Sequence, residues 1–203
     1  QEKLVTVEQG TTLEQAKKVL QEHRIEKLLV VDNEGNLAGL ITVKDIQKKE
    51  DFPNSCKDKS GRLRVGAALS VTEDFLERAQ ELHSKEVDVI VVDTAHGHSL
   101  GVLNQIKEIK KSIPALQIIG GNIATGNGAK ALIDAGTDCV KVGIGAGASC
   151  TTRIVAGIGV PQLTAVMDCV DEAKKNDIPV IADGGIRYSG DIAKAIAAGA
   201  DTV

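Results

Sequence analysis

The chain has 203 residues, of which 42% are hydrophobic and 26% charged, and it carries a net charge of −4 at neutral pH. These are the proportions of an ordinary water-soluble globular protein. The acidic balance argues against nucleic acid as a partner, and with no bilayer-length apolar run and no signal peptide to be seen, a membrane partner is not expected and a cytoplasmic setting is.

Aromatic residues make up only 1% of the chain and Trp is absent, so the core must be built from Val, Ile, Leu and Ala. That composition suits parallel strands buried on both faces. The four cysteines, Cys56, Cys139, Cys150 and Cys169, lack metal-type spacing and read as reduced thiols of a cytosolic protein.

Residues 1–50 form the first segment. A short strand is predicted at 4–7. A helix capped by Thr11 or Thr12 follows, running through Leu13, Ala16, Val19 and Leu20. Strands at 28–32 and 37–42 flank the turn Asn33-Glu34-Gly35-Asn36 and so make a hairpin, after which a helix begins at Val43 and runs to residue 49. The strand–helix–hairpin–helix order, with Gly39-Leu40-Ile41-Thr42-Val43-Lys44-Asp45, resembles a CBS motif (named after cystathionine β-synthase), the second of a pair. Residues 51–64 are polar and turn-rich and read as a linker, with Cys56 an exposed linker thiol.

From residue 65 to 203 strand and helix alternate. Strands are predicted at 65–69, 87–93, 116–120, 139–144 and 179–183, with another beginning at 201. Helices are predicted at 72–84, 99–111, 126–135, 162–175 and 189–198. Such alternation implies an α/β fold with a parallel sheet and right-handed crossovers, either a barrel or an open sheet. Asp93, Asn122, Cys150 and Asp183 each fall just past the carboxyl end of a different strand. A barrel gathers its site from many strand ends, whereas a doubly wound sheet concentrates it at one switch point, so a (β/α)8 barrel is favoured. Five full strands and the start of a sixth fall short of eight, so the chain is expected to be part of a barrel, ending inside a strand.

Three motifs carry chemistry. Gly143-Ile144-Gly145-Ala146-Gly147-Ala148-Ser149-Cys150-Thr151-Thr152-Arg153 delivers a cysteine at the end of a glycine-rich loop, where successive amides can form a concavity that favours an anion or a thiolate. Upstream lies Asp93-Thr94-Ala95-His96-Gly97-His98-Ser99, and downstream Pro179-Val180-Ile181-Ala182-Asp183-Gly184-Gly185-Ile186-Arg187. In this order, along essentially the whole chain, the three resemble the inosine-5′-monophosphate (IMP) dehydrogenase family.

The resemblance implies NAD-dependent oxidation of IMP to xanthosine monophosphate in guanine nucleotide synthesis. Cys150 would be the nucleophile that attacks C2 of the purine; a soft, strong nucleophile suits an electron-poor ring carbon. Thr152 would help place the hydrolytic water. Ser149, Asp183, Gly184 and Gly185 would bind IMP, with Asp183 on the ribose hydroxyls. Asp93, Thr94, His96, Asn122, Gly143 and Gly145 would lie on the cofactor side, Asn122 facing cofactor or substrate, and Lys141 would stand near the reacting centre. The backbone carbonyls of Gly145, Gly147 and Cys150 would hold K⁺. A metal pair of His96 and His98 is rejected for want of further ligands with metal spacing, and Arg187 reads as a surface residue. Cys139 and Cys169, in strand and helix patterns, are taken as inert.

The same resemblance implies a homotetramer, an adenine or guanine nucleotide at the CBS module, and a first CBS motif, further barrel strands and a catalytic flap beyond this chain. With the general base on that flap, the isolated chain is expected to support the redox half-reaction at most. Where the family's loop has Pro or Ser, then Ser, then Ile or Val, this chain has Ala146, Ala148 and Ser149. Ala148 removes a hydroxyl that contacts the IMP phosphate, a loss of about 1.5–3 kcal/mol. Two alternatives stand beside this reading: a GMP reductase, opposed by residues 1–50 because that enzyme is expected to lack a CBS insertion, and a non-catalytic nucleotide sensor, opposed by the retained Cys150 and Asp183.

Overall fold

Thr12 sets the first helix. In the computed structural model, which describes residues 4–203, its hydroxyl accepts the N–H of Gln15 while the Gln15 side chain accepts the N–H of Thr12. The two bonds satisfy reciprocally two groups that a helix start leaves unpaired. The chain divides into two compact units, one ending at Leu63 and the other spanning Arg64–Val203. The first three residues of the segment expected at 1–50 lie outside the described ones.

The first unit holds β1 (Thr6–Glu8), α1 (Leu13–His23), β2 (Lys27–Val31), β3 (Leu37–Thr42) and α2 (Val43–Asp51). β1 pairs parallel and β3 antiparallel to β2. Asp32 closes the hairpin by accepting the N–H groups of Glu34 and Asn36, both at 2.9 Å, an Asx turn that explains the turn signal. Thr42 and Asp45 cap α2 as Thr12 and Gln15 cap α1. The core is small: Ala16, Leu20, Leu28 and Ile46. Leu37 and Leu40 remain exposed on the sheet. The stretch read as a linker has order of its own, because Lys57 and Leu63 pair antiparallel around an Asp58–Arg62 turn.

The second unit runs β4 (Gly66–Leu69), α3 (Phe75–Ser84), β5 (Val89–Asp93), α4 (Leu100–Ser112), β6 (Gln117–Ile123), α5 (Gly126–Ala135), β7 (Cys139–Val142), α6 (Thr152–Ala156), α7 (Gln162–Ala173), β8 (Val180–Ala182) and α8 (Ser189–Ala197). The five strands are parallel and stand in chain order. Successive helices α3, α4, α5, α7 and α8 pack on one another, so they share one face of the sheet. A doubly wound sheet reverses its strand order and covers both faces; this sheet does neither.

Strand alternation follows from that single helix layer. Ile90, Val92, Ile118, Val140, Val142, Val180 and Ala182 are buried beneath the helices, while Val91, Ile119, Lys141 and Ile181 lie half-buried on the opposite face. β6 is thin on both sides. A Cβ on Gly120 would come within 3.2 Å of Leu132 and Ile106, and one on Gly121 would come within 2.8 Å of Lys141.

Register is fixed by a recurring staple. Asp88, Asp138 and Asp201 accept the N–H groups of Val65, Ile118 and Val180 at 2.8, 2.7 and 2.8 Å, and each donates its own N–H back to the same residue. Asp201 thereby aligns Thr202 in a parallel bridge with Ile181. The sheet is open among the described residues, an α/β parallel sheet rather than a closed eight-stranded barrel. The strand predicted at 139–144 stops at Val142, and α6 was not predicted; its five residues are too few to show a helical period.

Candidate active site

The carboxyl ends of β5 to β8 converge on one ammonium group. Lys141, its side chain 14% exposed, places Nζ 3.0 Å from Asp93 Oδ1 and 3.0 Å from Asp183 Oδ2 and also donates to Asn122 Oδ1. All three donors of the ammonium are thereby used. Asn122 Nδ2 donates to Asp183 Oδ2 at 2.7 Å and to the Gly143 carbonyl at 2.9 Å. Asp183 Oδ1 receives no hydrogen bond from the described residues, and the side chain is 45% exposed, so one carboxylate oxygen is open to a ligand hydroxyl. Partial burial pushes the Asp183 carboxyl up, but the bonds from Asn122 and Lys141 and the Lys141 charge outweigh it and hold the group below its ordinary value.

The cysteine loop is seated on this cluster. Gly143 N donates to the Ile123 carbonyl at 2.9 Å, and a Cβ on Gly143 would lie 2.0 Å from the Asp183 carbonyl oxygen, so only glycine fits there. Farther along, a Cβ on Gly184 would stand 3.1 Å from Gly147 Cα, and one on Gly185 would stand 3.6 Å from Ala146 Cβ. Gly184 and Gly185 both have positive φ, which turns the chain beneath the loop.

At the end of the loop the Thr152 hydroxyl and N–H donate to Cys150 Sγ and lower its thiol pKa, with further help from the N–H groups of Arg153 and Gly145. Thr152 is the first residue of α6 rather than a loop residue. Cys139 and Cys169 behave oppositely, since burial pushes each up to about 12. Of the three, only Cys150 stands in an environment that favours thiolate.

The other residues singled out from sequence are placed as follows. Thr94 is engaged within the fold, its hydroxyl donating to the Gly121 carbonyl at 3.1 Å and its carbonyl accepting from Asn122 N at 2.8 Å. Asn122 thus joins the 93–99 loop by its backbone and Asp183 by its side chain. His96 is exposed, with its ring 6.5 Å from that of His98, edge to face. Among the described residues Asp93 is bound through Oδ1 only, its side chain 53% exposed. Ser149 and Ala148 are exposed, and the Ser149 hydroxyl makes no hydrogen bond among the described residues. The Gly147 carbonyl accepts the Cys150 N–H at 3.1 Å.

No group of three or more His, Cys, Asp or Glu side chains among the described residues could hold a metal ion. The backbone carbonyls of Gly145, Gly147 and Cys150, read from the sequence as a K⁺ site, are neutral oxygens without a carboxylate among them.

Sequence reasoning missed Gln162. Its Nε2 donates to the Val142 carbonyl at 2.8 Å and to the Asp183 carbonyl at 3.2 Å. The only signal available was a glutamine directly after Pro161, where a helix begins. The linking role of Lys141 was missed as well, because partners 48 and 42 residues away leave no trace in local pattern.

Residues 4–203 match the family model described as the IMP dehydrogenase / GMP reductase domain. Among curated relatives, the inosine-5′-monophosphate dehydrogenases of Aquifex aeolicus and Bacillus subtilis are 57% and 58% identical over 202 residues, covering 100% of this chain and 41% of each relative. The chain therefore spans about two-fifths of those proteins. Among solved structures, a cysteine-to-alanine variant of GMP reductase from Trypanosoma brucei in complex with guanosine 5′-monophosphate is similar with a TM-score of 0.87 at 44% identity, covering 99% of this chain and 42% of that one. A GMP reductase thus matches the region of residues 1–50 as well, so that region does not separate the two activities as the sequence suggested.

Proposed function

The chain belongs to the IMP dehydrogenase / GMP reductase family, and from that premise we propose that the protein carrying it oxidises IMP to xanthosine monophosphate through Cys150, with NAD as hydride acceptor. The observation that carries the reading is the seating of a thiolate-favouring cysteine loop on Asp183-Gly184-Gly185. The higher identity to the dehydrogenases, 57–58% against 44% to the reductase, supports it.

Asp183 accepts the ribose hydroxyls through its open oxygen, and the backbone at Gly184 and Gly185 lets the phosphate approach closely. Cys150 Sγ adds to C2 of the base, whose ring nitrogen takes up a proton. Breaking of the C2–H bond with its electron pair, for which a bound NAD would supply the hydride acceptor, would leave a thioimidate on Cys150, and water would hydrolyse it to xanthosine monophosphate and the free thiol. Thr152 stabilises the thiolate before attack and after release. Asp93, with one free oxygen, and exposed His96 fit the nicotinamide riboside side. Thr94 contributes by fixing that loop. The carbonyls of Gly145, Gly147 and Cys150 would hold K⁺ and thereby stiffen the loop.

The first unit fits a CBS motif in element order and in its Gly39–Asp45 segment, and a purine nucleotide is the ligand class we assign to it. Exposed Ile154, Val155 and Ile158, just past the cysteine, support a contact between subunits of the tetramer we infer. Free cysteines fit a reducing cytoplasm.

GMP reduction is the second reading, favoured by the 0.87 TM-score to the trypanosomal enzyme. Two assays of the protein carrying this chain separate them: NADH formation from IMP and NAD, and NADPH consumption with GMP. The dehydrogenase reading requires the first and is overturned by the second alone.

A further inference from the structure

Gln162 opens α7, yet both its polar contacts are to backbone at the candidate site. Val142 is the last residue of β7, and Asp183 is the first residue past β8. One amide therefore ties together the two strand ends that flank the cysteine loop. The fit is close: a Cβ on Gly143 would lie 3.4 Å from Gln162 Nε2, and one on Gly185 would lie 3.2 Å from Gln162 Cβ. The Oε1 atom is sealed from solvent and meets no donor among the described residues. Rotating the amide by half a turn would set that oxygen against two carbonyl oxygens, so the pair of N–H bonds fixes the orientation at the expense of an unpaired acceptor.

We propose that Gln162 is a positioning residue of the nucleotide site. By holding the Val142 and Asp183 carbonyls it sets the separation between the Gly143 end of the cysteine loop and the Gly184-Gly185 turn, and so the grip on a nucleoside monophosphate. This rests on the reading that the cleft takes IMP.

Two variants of the protein carrying this chain test it. Gln162→Met keeps the length and removes the amide, and Gln162→Glu keeps the shape but sets an acceptor against two carbonyls. Calorimetric binding of IMP, steady-state kinetics and thermal unfolding are measured for each. The Kd and KM for IMP should rise about tenfold or more in both variants, while kcat at saturating IMP and the KM for NAD change less than about threefold. An IMP affinity within about twofold of wild type in a folded variant would overturn the proposal. So would a matched loss for IMP and NAD with a lowered Tm, or failure of both variants to fold, each of which marks a structural residue. Wild-type protein that neither binds IMP nor forms NADH would instead fault the functional reading, and the positioning role would fall with it.

Discussion

Asn122 and Asp183 stand 61 residues apart in the chain, yet the Asn122 side-chain amide donates to Asp183 Oδ2 at 2.7 Å. Lys141 meets the same oxygen from the strand between them. Asp183 is thereby held through one oxygen, while the other meets no hydrogen-bond donor among the described residues.

Removing the ammonium should expose this dependence. Lys141→Met leaves Asp93 and Asp183 facing each other without a counter-charge, so the Asp183 carboxyl rises from its lowered value. A lowered carboxyl contributes stability and binding above its unfolded pKa, here 3.8, and loses both as pH falls through the folded value. The acid limb of IMP binding should therefore lie below pH 3.8 in wild type and shift upward in the variant, as titrations of affinity against pH would show.

Thr152→Val tests the thiolate. It removes the hydroxyl that contributes most to lowering the Cys150 pKa. The pH profile of Cys150 alkylation by iodoacetamide should move to higher pH, and the rate at neutral pH should fall. Cys139 and Cys169, raised to about 12 by burial, should stay unreactive in both proteins.

Gly143→Ala tests the seat of the loop. The new methyl would meet the Asp183 carbonyl at 2.0 Å, which neither backbone can relieve without moving. A destabilisation of about 2–4 kcal/mol is expected from urea unfolding, with loss of IMP binding in whatever folds.

Ala148→Ser restores the hydroxyl that the family resemblance places on the phosphate. Ala148 is exposed, so an added oxygen can face solvent. IMP binding should tighten by about ten- to a hundredfold in calorimetry, with Tm unchanged.

The fold was legible where the period was local. Leu37–Thr42, Gly126–Ala135 and the start of α7 at Gln162 stand where alternation and helical spacing put them. Parallel strands announced themselves through β-branched runs such as Val89–Asp93. Boundaries set by tertiary contact were not legible. β7 ends at Val142 because Gly143 must pass under the Asp183 carbonyl, and no residue near 143 records that neighbour. The site divides in the same way: Cys150 and Asp183 were visible as loop and strand-end residues, whereas the joint hold of Lys141, Asn122 and Gln162 depends on which strands become neighbours.

The proposed function rests on a covalent bond between Cys150 and the purine. Intact mass spectrometry of the protein carrying this chain, after mixing with IMP and NAD, tests it with Cys150→Ala as the control. A purine adduct is expected on wild type and absent from the variant, accompanied by NADH. A folded wild-type protein that forms NADH with no adduct, or that forms neither, would contradict it.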